Sequence, residues 1–305
     1  MQAREIALAI DLGGTKVDAA LVGADGRVVP GTVHRAPTGR DAAREDVARS
    51  IREVAAAAVA DLGARDRLIG VGIGSAGPVD LDGGAIAPLN LPAIAGLRIV
   101  PLAQQVAPGV PVRLALDGAC IALAEHWRGA AAGARNALAM VVSTGVGGGL
   151  IVDGALVTGR SGNAGHIGQL RLRQRAPGGP PTDGTLEALA SGPSAVAWAR
   201  GQGWAGATGE ELSGAYAAGD PVAVAAVRRS AGAVGEAIAD VATLLDLDVA
   251  VIAGGFARVA EDYLDLVRTA AAEAAVFDYA RAVRIDASGL DGHGPLIGAG
   301  ALVLR

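Results

Sequence analysis

Two stretches of this sequence repeat one plan: an apolar run, a polar glycine corner and a second apolar run. One occupies residues 6–22 around "DLGGTK", the other residues 137–152 around "STGVGGG". Short apolar runs on either side of such a corner predict antiparallel strands. A turn and a further short run follow each copy, over 27–33 in the first and after Asp153-Gly154 in the second, so each copy predicts a three-stranded meander. The copies stand about 130 residues apart and both lead into mixed helical and strand patterns. That arrangement favours an α/β protein of two related halves facing one another across an interdomain cleft, over one doubly wound sheet.

Between the copies, residues 41–62 carry Ala, Val and Ile at helical spacing, with Asp41 placed as an N-cap and Gly63 as a stop. Strands are predicted over 68–74 and 110–116, the second delivering Asp117 to its C-terminal end just ahead of a helix over 118–129. After the second copy come a Gly/Pro-rich segment, 173–184, expected to be flexible, helices within 185–200 and 221–246, a strand opening 249–256, a helix from 260 and an apolar closing segment, 294–304.

Composition bounds the partners. Hydrophobic residues make up 51% of the 305 positions and aromatics only 3%, so the cores are expected to be large and aliphatic. The 26 basic and 31 acidic residues are interspersed and give a net charge of −5, which leaves no electrostatic footprint for nucleic acid or an anionic membrane. No apolar run is long enough to span a bilayer. Asp11 interrupts the first apolar run before it could serve as a signal-peptide core, so a cytoplasmic location is expected. Cys120, the single cysteine, excludes an internal disulfide and any zinc site built on several thiolates, and its apolar helical neighbours predict an inert buried thiol.

Gly13 and Gly14 alone would be explained by a tight two-residue hairpin. The surplus lies in Asp11, Thr15 and Lys16, which set a carboxylate, a hydroxyl and an ammonium around exposed backbone N–H groups, the parts that phosphate and a hydrated Mg²⁺ use. The second corner again joins hydroxyls, Ser143 and Thr144, to a glycine, Gly145. Two such corners could face one nucleotide.

With these motifs in view the chain resembles the ROK-family sugar kinases, which have two ribonuclease-H-like domains and belong to the actin-like ATPase superfamily. The resemblance covers nearly the whole chain. "DLGGTK" resembles the first phosphate motif, "GIGSAGPVD" a sugar-side loop, "LNLP" the segment of a sugar-binding Asn, "STGVGGGL" the second phosphate motif, "TLEALASG" a further sugar contact, "VIAGGF" the adenosine motif and "GPLIGAGALVL" the closing helix. The resemblance implies one domain from 1–117 plus 290–305 and another from 118–289. It implies ATP as phosphoryl donor and Mg²⁺ held by Asp11 through water. Asp117 becomes the general base toward a primary hydroxyl, with an ordinary helix cap as its competing explanation. Gly13, Gly14, Thr15, Lys16, Thr144, Gly145, Gly254 and Gly255 fall on the nucleotide, and Gly77, Asn90, Asp117, His166, Gln169 and Glu187 on the acceptor. A homodimer is the implied assembly.

Three departures from the family pattern shape the expected substrate. Leu116 precedes the base where the family has Asn, His166 replaces a sugar-contacting carboxylate, and Gln169 replaces a His that touches sugar and zinc in many relatives. The loop before "LEALASG" carries no cysteine, so zinc is not expected. The acceptor is therefore expected to be a hexose-like sugar or a C7 cyclitol, with glucose used poorly; a plain glucokinase and an aminosugar kinase are the alternatives within the class. A non-catalytic sugar-binding relative is the alternative outside it, and a sugar-responsive repressor is disfavoured because the phosphate motif begins at residue 11.

Overall fold

The computed structural model describes residues 3–39, 41–172, 184–290 and 292–305; the expected flexible segment lies outside these except for Gly184. Contacts divide the chain into two compact units, Met1–Ala132 with Leu156–Gly165 and Gly289–Arg305, and Gly133–Ala155 with His166–Ser288.

The first unit runs β1 (Arg4–Leu12), β2 (Lys16–Gly23), β3 (His34–Pro37), α1 (Arg44–Ala60), β4 (Asp66–Ser75), the small pair β5 (Val79–Asp80) and β6 (Ala85–Ile86), α2 (Ile99–Val106), β7 (Val112–Leu116) and α3 (Asp117–Arg128). Its sheet has the order β3-β2-β1-β4-β7, antiparallel through the meander and parallel from β1 to β7. β1 is central and fully buried from Ile6 to Ile10, the continuous apolar run required of a strand covered on both faces.

The second unit runs β8 (Ala137–Val142), β9 (Val146–Val152), β10 (Ala155–Leu156), α4 (Leu186–Ala190), α5 (Gly192–Gly201), α6 (Gly209–Ala217), α7 (Pro221–Leu245), β11 (Val249–Ala253), α8 (Tyr263–Ala274), α9 (Asp278–Arg281) and β12 (Arg284–Ala287). Its sheet order, β10-β9-β8-β11-β12, repeats that of the first: a meander followed by two parallel strands. The last helix, α10 (Gly294–Leu304), returns to the first unit and packs over β1, β4 and α3. Two glycines permit this approach, because a Cβ on Gly72 would overlap the Ala299 carbonyl and one on Gly298 the Cys120 carbonyl. Since α3 packs on α10, the first unit continues past Asp117 to Ala132. Cys120 is fully buried there, and burial followed by the charges of Asp11 and Asp117 pushes its thiol well above the usual range.

Several elements differ from the sequence reading. Residues 27–33 form no strand, and only Val28 bridges to Val22. Pro30 and Gly31, the latter at φ +81°, turn the chain away. Thr32 ties this turn to β2 by accepting from the Leu21 N–H at 3.1 Å and donating to the Val29 carbonyl at 2.8 Å. The third strand forms only at β3. Asp41 is not the cap of α1, whose N-cap is Ala43 with no side-chain bond. Helix α6 and strand β12 were not foreseen, although Thr208 and Glu211 form a complete capping box at the start of α6, a signature visible in sequence.

Candidate active site

The first corner spans the three residues between Leu12 and Lys16. It closes with the Gly13 N–H donating to the Lys16 carbonyl at 2.9 Å. Neither Gly13 nor Gly14 has a positive φ, so a two-residue hairpin does not account for them. Gly14 instead leaves room for a side chain: a Cβ there would overlap the Asn90 amide, Nδ2, unless Asn90 moved. The structure thus brings Asn90, an expected acceptor residue, against the first phosphate motif. Thr38, which sequence reasoning missed, braces the corner by donating its hydroxyl to the Gly13 carbonyl at 3.1 Å and its N–H to the Thr15 carbonyl at 2.9 Å. The Ala76 N–H donates to the Leu12 carbonyl at 3.1 Å and so sets Gly77 beside the same corner. The Thr15 side chain remains exposed.

Asp11, half-buried between Ile10 and Leu12 in β1, faces Asp18 across the β1–β2 ladder. Arg35 from β3 grips Asp18 with Nε at 2.6 Å and Nη2 at 2.8 Å, and Lys16 Nζ lies 3.4 Å from the same carboxylate. Burial works against a charge on Asp18, but the Arg35 bonds and the Lys16 charge hold its carboxyl below the usual range. Asp11 has no such clamp. Burial first, then the charges of Asp117 and Asp18, push its carboxyl up to about 7 against the pull of Lys16 and Arg35.

Asp117 is the first residue of α3, with Leu116 as the N-cap residue. It is therefore not the cap, although its Oδ1 accepts from the Gly118 N–H at 2.7 Å. Leu116, which stands where the family has Asn, is only 2% exposed and belongs to the apolar core. The charges of Asp117 and Asp18 raise Asp11, and a divalent cation beside Asp11 and Asp117 would relieve that repulsion.

In the second unit the corner Ser143–Gly145 joins β8 to β9. Glu187 from α4 reaches it, its Oε2 accepting from the Val146 N–H at 2.9 Å, and a Cβ on Gly145 would stand 2.7 Å from that oxygen. The Gly192 N–H at the start of α5 donates to the Ser143 carbonyl at 2.8 Å. Both flanks of Thr144 are thus held from the α4–α5 junction while its side chain stays exposed. β11 pairs with β8 and brings Gly254 to the same end of the sheet. Gly254 has φ +108° and a Cβ on it would overlap the Val142 carbonyl, so only glycine fits. The next residue, Gly255, lies near the Ser143 hydroxyl: a Cβ there would be 3.7 Å from Oγ.

His166 and Gln169 bracket a single 3-10 turn over Ile167–Gln169. Gly168 lets that turn sit on the Val146 carbonyl, which a Cβ would overlap. The Nε2 of His166 is buried and has no hydrogen-bond partner among the described residues, an uncommon and costly state for a polar atom. Gln169 is exposed, and its backbone N–H donates to the His166 carbonyl at 3.0 Å.

The profile of the ROK family matches residues 7–305. The chain belongs to the ROK family. An N-acetylmannosamine kinase of Escherichia fergusonii is 36% identical over 269 residues, covering 86% of this chain and 87% of the relative. A ROK hexokinase from Thermus thermophilus superposes with a TM-score of 0.82 at 32% identity, over 98% of this chain and 97% of the other. A ROK family glucokinase from Streptomyces griseus, in complex with glucose and AMPPNP, gives a TM-score of 0.81 at 27% identity, over 98% and 99%. The fold is the two-domain actin-like ATPase fold of this family, and the protein is a phosphotransferase with an alcohol group as acceptor.

Among the described residues there is no group of three or more His, Cys, Asp or Glu side chains able to hold a metal, and no helix long and apolar enough to cross a membrane. The cysteine-free loop that bears on zinc lies largely within 173–183, outside the described residues. Elemental analysis of the purified protein is expected to show no stoichiometric zinc, and activity is expected to survive a zinc-selective chelator. One tightly held zinc per chain would refute this.

Proposed function

We propose that this ROK protein transfers the γ-phosphoryl group of ATP to a primary hydroxyl on a hexose-like ring, a sugar or a C7 cyclitol, with Asp117 as general base. The observation that carries the reading is the pairing of Asp117, at the β7–α3 junction, with an unclamped Asp11 whose carboxyl is raised to about 7. A carboxylate at a strand-to-helix junction that is not itself the helix cap is placed to accept the proton of an attacking hydroxyl. Mg²⁺, where bound by Asp11, would neutralise charge on the donor phosphates.

The remaining site residues take the roles that the family resemblance implies. The N–H groups and hydroxyls of Gly13–Thr15 and of Thr144–Gly145 orient phosphates, with Lys16 adding charge from its place beside Asp18. Gly254 and Gly255 leave flat backbone for the adenosine. Gly77, Asn90, His166, Gln169 and Glu187 are assigned to the acceptor on the same ground.

The identity of the acceptor turns on His166. A buried ring nitrogen without a partner among the described residues is costly, and an acceptor oxygen brought to Nε2 would supply one. A C7 cyclitol can do this with a ring hydroxyl. The curated relatives favour a second reading, N-acetylmannosamine, whose amide carbonyl offers the same partner. The test is kcat/KM with ATP for glucose, mannose, N-acetylmannosamine, kanosamine and a C7 cyclitol, with the phosphorylated position assigned by NMR. Glucose is expected to fall about tenfold or more below the best acceptor, the value of one mismatched hydrogen bond. Glucose ranking clearly first would overturn the acceptor reading alone, and no transfer to any ring would leave a non-catalytic sugar-binding protein.

A further inference from the structure

The second corner is fixed by a helix of only five residues, too short to hold its own place in water. Its N-terminus is capped by the Thr185 hydroxyl, which accepts from the Ala188 N–H at 3.3 Å. The other end is gripped from α7: Arg229 Nη1 donates to the Leu189 carbonyl at 2.7 Å, and the Ser230 hydroxyl donates to the Ala190 carbonyl at 2.8 Å. Ser230 Oγ has one proton and gives it to Ala190, so at 2.8 Å from the Tyr263 hydroxyl it is the acceptor of the phenolic proton. Ser230 and Tyr263 are both 0% exposed. Burial pushes the Tyr263 phenol up to about 12, so it stays a donor throughout the working range.

We propose that Tyr263 and Ser230 are positioning residues for the nucleotide, acting through α4 and Glu187 on the corner Ser143–Gly145. The line is continuous: the Tyr263 hydroxyl orients Ser230, Ser230 fixes the last carbonyl of α4, and α4 sets the Glu187 carboxylate on the Val146 N–H. The α4–α5 junction that carries this line also places the Gly192 N–H on the Ser143 carbonyl. A polar chain in an aliphatic core is more than packing requires, since Phe and Ala would fill the same space without hydroxyls to satisfy. Its terminus at a corner with exposed Thr144 gives it a use. The inference rests on the reading of that corner as a phosphate cradle.

The test is steady-state kinetics and thermal unfolding of Tyr263→Phe, Ser230→Ala and Ser230→Thr, with Tyr263→Phe repeated in a Glu187→Gln background. Tyr263→Phe and Ser230→Ala are expected to raise the KM for ATP about 3- to 10-fold, the range of one lost hydrogen bond, while Ser230→Thr, which keeps the hydroxyl, stays near wild type. In the Glu187→Gln background Tyr263→Phe is expected to add nothing further, because both act through one contact. A lowered Tm with unchanged KM, or full additivity with Glu187→Gln, would show a purely structural role and overturn the proposal. Tyr263→Phe keeps the ring, and it decides alone should Ser230→Ala not fold. Wild-type enzyme that transfers no phosphate refutes the phosphotransfer reading, whereas an active Tyr263→Phe with native KM refutes only the positioning.

Discussion

Replacing Asp117 with Asn is expected to lower turnover by about 10²- to 10⁴-fold, the range associated with loss of a general base, while fold and nucleotide affinity persist. Asn keeps an oxygen for the Gly118 N–H, which Asp117 Oδ1 accepts at 2.7 Å, so the start of α3 is preserved. Only the capacity to take a proton is removed. The same change deletes one of the charges that raise Asp11, which then ionises more readily. Metal affinity is therefore not expected to improve or worsen by more than a small factor, because the one charge that leaves both repels Asp11 and attracts the cation. The measurement is kcat on the best acceptor together with AMPPNP affinity by calorimetry. Turnover within a few-fold of wild type would mean that Asp117 only organises the helix start.

Much of the site was legible because its residues interrupt apolar runs. Asp11 breaks the apolar run Ile6–Ile10 of β1 and Asp117 directly follows β7, and the hydroxyl and ammonium groups after Gly14 exceed what a turn needs. Asp18 was legible in principle: a carboxylate inside "VDAALV" contradicts the strand's apolar pattern, and the structure resolves the conflict with Arg35 and Lys16. Other roles leave no local trace. Glu187 reaches a backbone N–H 41 residues away, and Tyr263 meets Ser230 across two helices. Leu116, where the family has Asn, lies in the core at the point where strand gives way to helix, a placement that adjacency to Asp117 in sequence does not reveal. The third strand was misplaced because the apolar residues of 27–33 obscured the turn set by Pro30 and Gly31.

The carboxyl of Asp11 couples function to stability with a definite sign. Its pKa is about 7 in the fold against an ordinary value of about 3.9 in the unfolded chain. The folded state thus holds a proton that the unfolded state has already lost, and the favourable contribution, complete below pH ~4, is lost as pH rises through ~7. Above pH ~7 an ionised Asp11 costs the empty protein up to about 4 kcal/mol. Asp18 and Asp66, whose carboxyls are held low, follow the opposite course and lose their contribution on acidification, so a simple pH–stability profile mixes the two. Asp11→Asn separates them. The variant is expected to match wild type near pH 4 and to exceed it by about 1 to 4 kcal/mol at pH 8, read from urea unfolding across that interval. Millimolar Mg²⁺ with AMPPNP is expected to erase this advantage by stabilising wild type alone, and the variant is expected to lose most of its turnover. A variant equal to wild type at pH 8 would show that Asp11 folds already ionised; a variant still fully active would remove it from the metal site. Both failures are readable separately, because the first is measured without ligand and the second at saturating Mg²⁺.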